Sequence, residues 1–142
     1  MTAKEFLGGI AELEKEIVRK KQRCKTLRDV ATNTSASNRT DDIQKSKEKS
    51  PLENIMVKVI DLEREIEADK AHLVNLKAKV WEQLDKLTDE TQKRILWLRY
   101  AENKTWKWIS KEVCFTPRYV RKLHVKALEN LDKILFCEKK TM

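Results

Sequence analysis

Both prolines of this 142-residue chain stand directly after a hydroxyl side chain, Ser50-Pro51 and Thr116-Pro117, and its only glycines are the adjacent pair Gly8 and Gly9. Such a pair marks a helix start. The hydroxyl accepts from an otherwise orphaned N–H, and proline in the first helical position gives up an N–H that has no partner there. The chain therefore carries two strong helix starts and almost nothing that breaks a helix or turns a strand. With 38% of its residues charged, it favours long helices over sheets and loops. An all-α fold is expected.

Apolar spacing says how the front half is organised. From roughly Ala3 to Val30, Phe6, Ile10, Leu13, Ile17, Cys24 and Leu27 recur in alternating steps of four and three, with Lys20 interrupting the seam. This is a heptad pattern. After Pro51, with Glu53 placed to complete a capping box from Ser50, Leu52, Ile55, Val59, Leu62, Ile66, Leu73, Leu76 and Val80 repeat the pattern. Asp69 is its polar break, and Leu84 and Leu87 extend it. A helix of about 35 residues is about 50 Å long, more than a small domain can cover. The stretch between the two, residues 32–50, is polar and nearly free of apolar side chains, and it reads as a mobile linker. It lets the first helix fold back antiparallel on the second, bringing Lys20 and Asp69 within reach. Met56 and Ile60 lie beside the second seam, and association as a homodimer or higher homo-oligomer through these helices would cover them. The expected organisation is a coiled-coil-like helical hairpin over 1–87, with the linker at about 32–50, and a second helical domain over 88–142.

Within that second domain a Thr88-Asp89-Glu90 segment caps a helix over Glu90 to Tyr100. Thr105 then caps a short helix with Trp106, Ile109 and Val113 on one face. Thr116 and Pro117 open another, whose inward stripe is Val120, Leu123, Ala127 and Leu128. Arg118, Tyr119, Arg121, Lys122 and Lys126 fall on its other faces. Two short helices joined by a tight turn, the second basic, form a helix-turn-helix of the kind that places a recognition helix, here 117–128, in the DNA major groove. Arg118 and Arg121, one turn apart, suit guanine O6 and N7, against the plain alternative of a solvated basic face. Lys126 suits a phosphate. Lys104, Thr105 and Lys107 sit where backbone N–H groups and the helix dipole favour a phosphate, although Thr105 serves equally as a cap alone. Trp106 is expected in the core, and Trp108 is expected to pack on the preceding helix or, as the alternative, to stand exposed as an anchor for a partner. Cys114 occupies the turn, where such motifs use glycine or aspartate to ease a left-handed backbone. His124 is expected to border DNA or solvent.

These residues carry a resemblance. Leu84 to Leu131 resembles DNA-binding region four of bacterial sigma factors, through L-R-Y at Leu98 to Tyr100, T-W-x-x-I from Thr105, and T-x-x-x-V-R-x-L-x-x-x-A-L-x-x-L from Thr116. The whole chain, with its M-x-x-K-E-F start and V-x-x-I-D-L-E-x-E-I-x-x-D centre, resembles small proteins from phages of Gram-positive bacteria, similar to the ArpU-like and RinA-like late-gene transcription regulators. The resemblance implies a sequence-specific regulator of double-stranded DNA, with Tyr119 and Lys122 at positions that read bases or backbone. It also implies a contact with host RNA polymerase. Two alternatives stay open: a DNA-packaging, small terminase-like recognition subunit, and a polymerase-binding protein that does not itself read DNA.

The charge agrees with an anionic partner. The formal net charge is +8, and residues 88–142 hold 13 basic against 7 acidic side chains. By itself such a surface raises phosphate affinity without giving sequence preference. No run of about 18 apolar residues is present, so no membrane span is expected. The start MTAKEFLGGI lacks a signal-peptide core. Cys24, Cys114 and Cys137 are too few and too scattered for a disulfide framework or a metal cluster, so a reducing cytoplasm is expected, which the resemblance implies is that of a bacterial host, with no metal and no cofactor. The serines lack a credible histidine-and-acid partnership and there is no glycine-rich phosphate loop. No enzymatic activity is expected.

Overall fold

A computed structural model of the chain describes residues 2–37 and 50–141. Among them every regular element is helical. α1 spans Ala3–Ser37, α2 Pro51–Leu84, α3 Glu90–Leu96, α4 Trp106–Val113 and α5 Pro117–Thr141. A π-helical turn over Trp97–Ala101 continues α3. The two prolines open α2 and α5. Ser50 Oγ accepts from the Glu53 N–H at 3.2 Å and Thr116 Oγ1 from the Tyr119 N–H at 3.2 Å. Asp89 caps α3 by accepting from Thr91 N and Gln92 N.

Two helices outrun their sequence-based limits. α1 continues past Val30 to Ser37, through the first residues assigned to the linker. Nothing in A-T-N-T-S-A-S forbids a helix, and Thr32 Oγ1 donates to the Arg28 carbonyl one turn back at 3.0 Å. The rest of the linker, 38–49, lies outside the described residues. α5 continues well past Leu128 to Thr141, because Leu131, Ile134 and Leu135 find a core to enter.

The chain divides into two compact units, one formed by residues up to Leu13 together with those from Leu73 onward, the other by Glu14–His72. This differs from the boundary at 87/88 expected from the sequence. The reason lies in the first core. There Ala3, Leu7 and Ile10 of α1 and Val80 and Leu84 of α2 are buried with Leu87, Leu96, Ala101, Ala127 and Leu131. Fully burying a leucine or isoleucine contributes about 1.5–3 kcal/mol, so the ends of the two long helices belong energetically with α3 and α5. Asp132 Oδ1 accepts from the Ala3 N–H at 2.6 Å, a carboxylate at the positive end of α1. A second cluster, Ile95, Leu98, Ile109 and Val120, joins α3, α4 and α5, with Trp106, Val113 and Leu123 against it. Beside it, the buried Gln92 accepts from Asn130 Nδ2 at 2.9 Å.

In the second unit the partners of α1 and α2 run in opposite senses. Lys20 pairs with Asp69, Arg28 pairs with Glu63, and Ala31 lies beside Leu52 and Met56; Cys24 Sγ lies 4.0 Å from the Val59 carbonyl. Ile17, Cys24, Ala31, Val59, Leu62 and Ile66 are the buried seam. Of the heptad positions in this unit Ile17, Cys24, Val59, Leu62 and Ile66 are buried and Leu27, Leu52 and Ile55 half-buried, and Lys20 Nζ lies 2.7 Å from Asp69 Oδ2 with Glu65 at 3.6 Å. Those carboxylates hold the Lys20 ammonium above its usual range, chiefly through the hydrogen bond it donates to Asp69. Met56, Val57 and Ile60 remain exposed.

Candidate nucleic-acid interface

The candidate surface is built on the opening turns of α5, and the docking of that helix decides which side chains face out. Val120, Ala127 and Leu131 are fully buried, so they fix one face inward. At 100° per residue the opposite line is Arg118, Lys122, Val125 and Glu129, with Arg121 on one flank and Tyr119 and Lys126 on the other. All seven are exposed. Thr116, Pro117, Arg118, Arg121, Lys122 and Val125 line one shallow concavity on this face.

The turn before α5 is held by its own backbone. Cys114 caps α4 in the left-handed region, φ 62° and ψ 36°, as the sequence position suggested. Its N–H reaches the Ser110 carbonyl, and the Phe115 N–H reaches the same oxygen at 3.2 Å. The buried Ser110 hydroxyl donates to the Phe115 carbonyl. With its backbone groups satisfied inside the turn, the segment presents Phe115 outward, 5.0 Å from the Tyr119 ring in an edge-to-face arrangement.

The start of α4 lies on the other side of this turn. Thr105 Oγ1 accepts from the Trp108 N–H at 3.2 Å and so caps α4. Lys107 is exposed and Lys104 half-buried. The Lys104 ammonium sits 4.7 Å from the centre of the Trp108 ring, a cation–π contact. Trp108 itself is exposed rather than packed on the preceding helix. The cause is the inward turn of Ile109 and Ser110, which leaves Trp108 on the wet side of α4.

Behind the surface lies a half-buried aromatic layer. The Arg99 guanidinium covers the Trp106 ring at 4.4 Å and donates to the Lys104 carbonyl at 3.0 Å, tying the π turn to the loop before α4. His124 stands between Tyr100, whose hydroxyl is 2.8 Å from Nε2, and the Trp106 ring, 4.7 Å between centroids. This corrects its expected place at the border with DNA or solvent. The inner flank of α5 carries it toward α3 and α4, because it is one turn from both Val120 and Ala127. Burial, and then the charge of Arg99 beside it, push the His124 imidazole below its usual range, while burial pushes the Tyr100 phenol up.

The sequence-predicted residues Arg118, Tyr119, Arg121, Lys122 and Lys126 thus share the outward side of one helix. Lys104, Thr105 and Lys107 cluster at the start of α4. Sequence reasoning missed Val125, Phe115 and Arg99. Val125 was detectable, being seven residues after Arg118 and three after Lys122, but apolar residues in a basic helix read first as core. Among the described residues no group of three or more His, Cys, Asp or Glu side chains could hold a metal ion, and no helix is long and apolar enough to cross a membrane. Compared with protein-family models, curated proteins and solved structures, the chain matches none.

Proposed function

We propose that this chain is a sequence-specific double-stranded DNA-binding transcription regulator, in which α4, the Cys114 turn and α5 act as a helix-turn-helix. The observation that carries the reading is the division of α5. One side is locked into two cores, and the other offers Arg118, Arg121, Lys122 and Lys126 without an acidic side chain in its first three turns. A rigid helix with a free cationic side at its N-terminal end suits the major groove, where arginine and lysine meet guanine O6 and N7.

In this reading Arg118, Arg121 and Lys122 contact base edges. Tyr119 and Lys126 hold the flanking backbone, and Lys107 with the N-terminus of α4 meets a phosphate on the far side of the turn. Lys104 contributes mainly by holding the Trp108 ring. The antiparallel α1–α2 pair serves as a helical hairpin that joins two copies through Met56, Val57 and Ile60, giving a dimer suited to paired half-sites. The resemblance to late-gene regulators supplies the biological setting, phage late transcription in a bacterial host, and a contact with RNA polymerase as its route of action.

The test is binding to phage genomic fragments at about 150 mM salt, where nonspecific affinity is weak, comparing wild type with Arg118→Ala/Arg121→Ala and measuring oligomer mass on the same samples. Selective retention of a few fragments, lost in the double variant, together with a dimer mass, is the expected result. Uniform binding that the substitutions leave unchanged overturns the assignment, and a ring-sized oligomer redirects it to DNA packaging.

A further inference from the structure

We infer that Val125 is a specificity-determining residue of this face, reading thymine through its C5-methyl group. The inference rests on the DNA-reading proposal above and adds to it the chemistry of one contact. Val125 is 56% exposed and belongs to neither core cluster. Its neighbours on the concave surface are Thr116, Pro117, Arg118, Arg121 and Lys122. An exposed valine is ordinary on a protein surface, and Val18 and Val74 are more exposed still; what sets Val125 apart is three features together at one cationic face.

The first is local. A β-branched side chain on a solvated helix face loses rotamer freedom and gains no packing, where lysine, glutamate or alanine would be better helix formers. The second is chemical. An isopropyl group offers nothing to a phosphate, and among the base edges in the major groove only thymine presents a methyl group for apolar contact. The third is electrostatic. Glu129, one turn further along the same outward line, repels phosphates and keeps this part of the helix off the backbone, toward the groove floor. Arg118 and Val125 are seven residues apart, about 10.5 Å along the axis at 1.5 Å per residue. That is about three base-pair steps of 3.4 Å, so the thymine falls within about three base pairs of the guanine that Arg118 contacts.

The experiment is a uracil scan. In a fragment that the full-length protein binds selectively, each thymine is replaced singly by deoxyuridine, which removes the methyl and leaves base pairing intact. Affinity is measured for wild type and Val125→Ala, with thermal melts confirming that the variant folds. Wild type is expected to lose about threefold to tenfold at one or two positions, the scale set by one buried methyl, and Val125→Ala to be insensitive there. Equal uracil profiles in the two proteins, or a wild type indifferent to every replacement, overturn this inference alone. Absence of any selective binding overturns the DNA-reading proposal and this inference with it.

Discussion

The two compact units are built from the same two long helices but hold together differently. In the unit containing α3 to α5, Leu7, Ile10, Leu84, Ile95, Leu96, Ile109 and Leu131 are excluded from water entirely. In the Glu14–His72 unit, two helices share one seam. Its best buried leucine and isoleucines, Ile17, Leu62 and Ile66, keep 6–9% of their surface, Leu27, Leu52 and Ile55 keep more, and its centre is an ion pair. Two helices can bury only a stripe, whereas a layer of several helices can bury whole side chains. In the function proposed above, the first unit holds the recognition surface and the second has its remaining apolar surface covered by another copy.

Core truncation should expose this contrast most strongly. Leu84→Ala is expected to cost about 2–5 kcal/mol, the range for emptying a closed core site, and the partly wet Leu62→Ala less, as read by denaturant unfolding. Equal costs would mean that the seam is as closed as the core. Next, Asn130→Ala removes the donor that satisfies the buried Gln92 and should cost about 1–3 kcal/mol, lowering the melting temperature of the first unit without changing α1–α2 pairing.

The two units should also part company with pH. The His124 imidazole is depressed by burial from 6.5, so the unfolded chain binds its proton more readily. Its contribution to stability is present above pH 6.5 and is lost as pH falls through the folded value. Melts between pH 7 and 5 should therefore show acid loss in the first unit, reduced in His124→Gln. The Lys20 ammonium is raised from 10.5 by its hydrogen bond to Asp69. Its contribution is fully present below 10.5 and disappears as pH rises through the folded value, so Lys20→Met should flatten the alkaline loss of the second unit. Lys93, raised likewise by Glu90, makes Lys93→Met the matching control in the first. The smallest expected effect is at the turn. Cys114→Gly relieves a side chain held at φ 62° and should stabilise by about 0.5 kcal/mol, the relief being partly offset by the flexibility glycine gives the unfolded chain.

Burial periodicity made much of this readable in the sequence. The seam positions of α2 follow the heptad residue by residue, and the two hydroxyl–proline pairs fix two helix starts, because caps and stripes are local properties. What the sequence hid was set by distant partners. Nothing near Ala3, Leu7 and Ile10 says that they enter a core with Leu131. The π turn over Trp97–Ala101 holds Arg99 against the Trp106 ring, a partner that local spacing does not reveal. Leu131, Ile134 and Leu135 prolong α5 only because a core awaits them. At the candidate surface, the charged residues were legible from helical spacing. Trp108 and His124 were not, since one position around α4 or α5 separates a wet side chain from a packed one.

The central claim is that the outward side of α5 distinguishes DNA sequences, and it is tested most directly by measuring affinity for a selected fragment and for an unrelated duplex over a range of salt. Wild type, Arg118→Ala and Lys126→Ala would be compared. A base-reading Arg118 predicts that its removal narrows the ratio between the two duplexes, by about 1–3 kcal/mol of discrimination. A phosphate-binding Lys126 predicts uniform weakening, with the salt slope reduced by about one. If Arg118→Ala weakens both duplexes equally, the face binds DNA as a charge and does not read it.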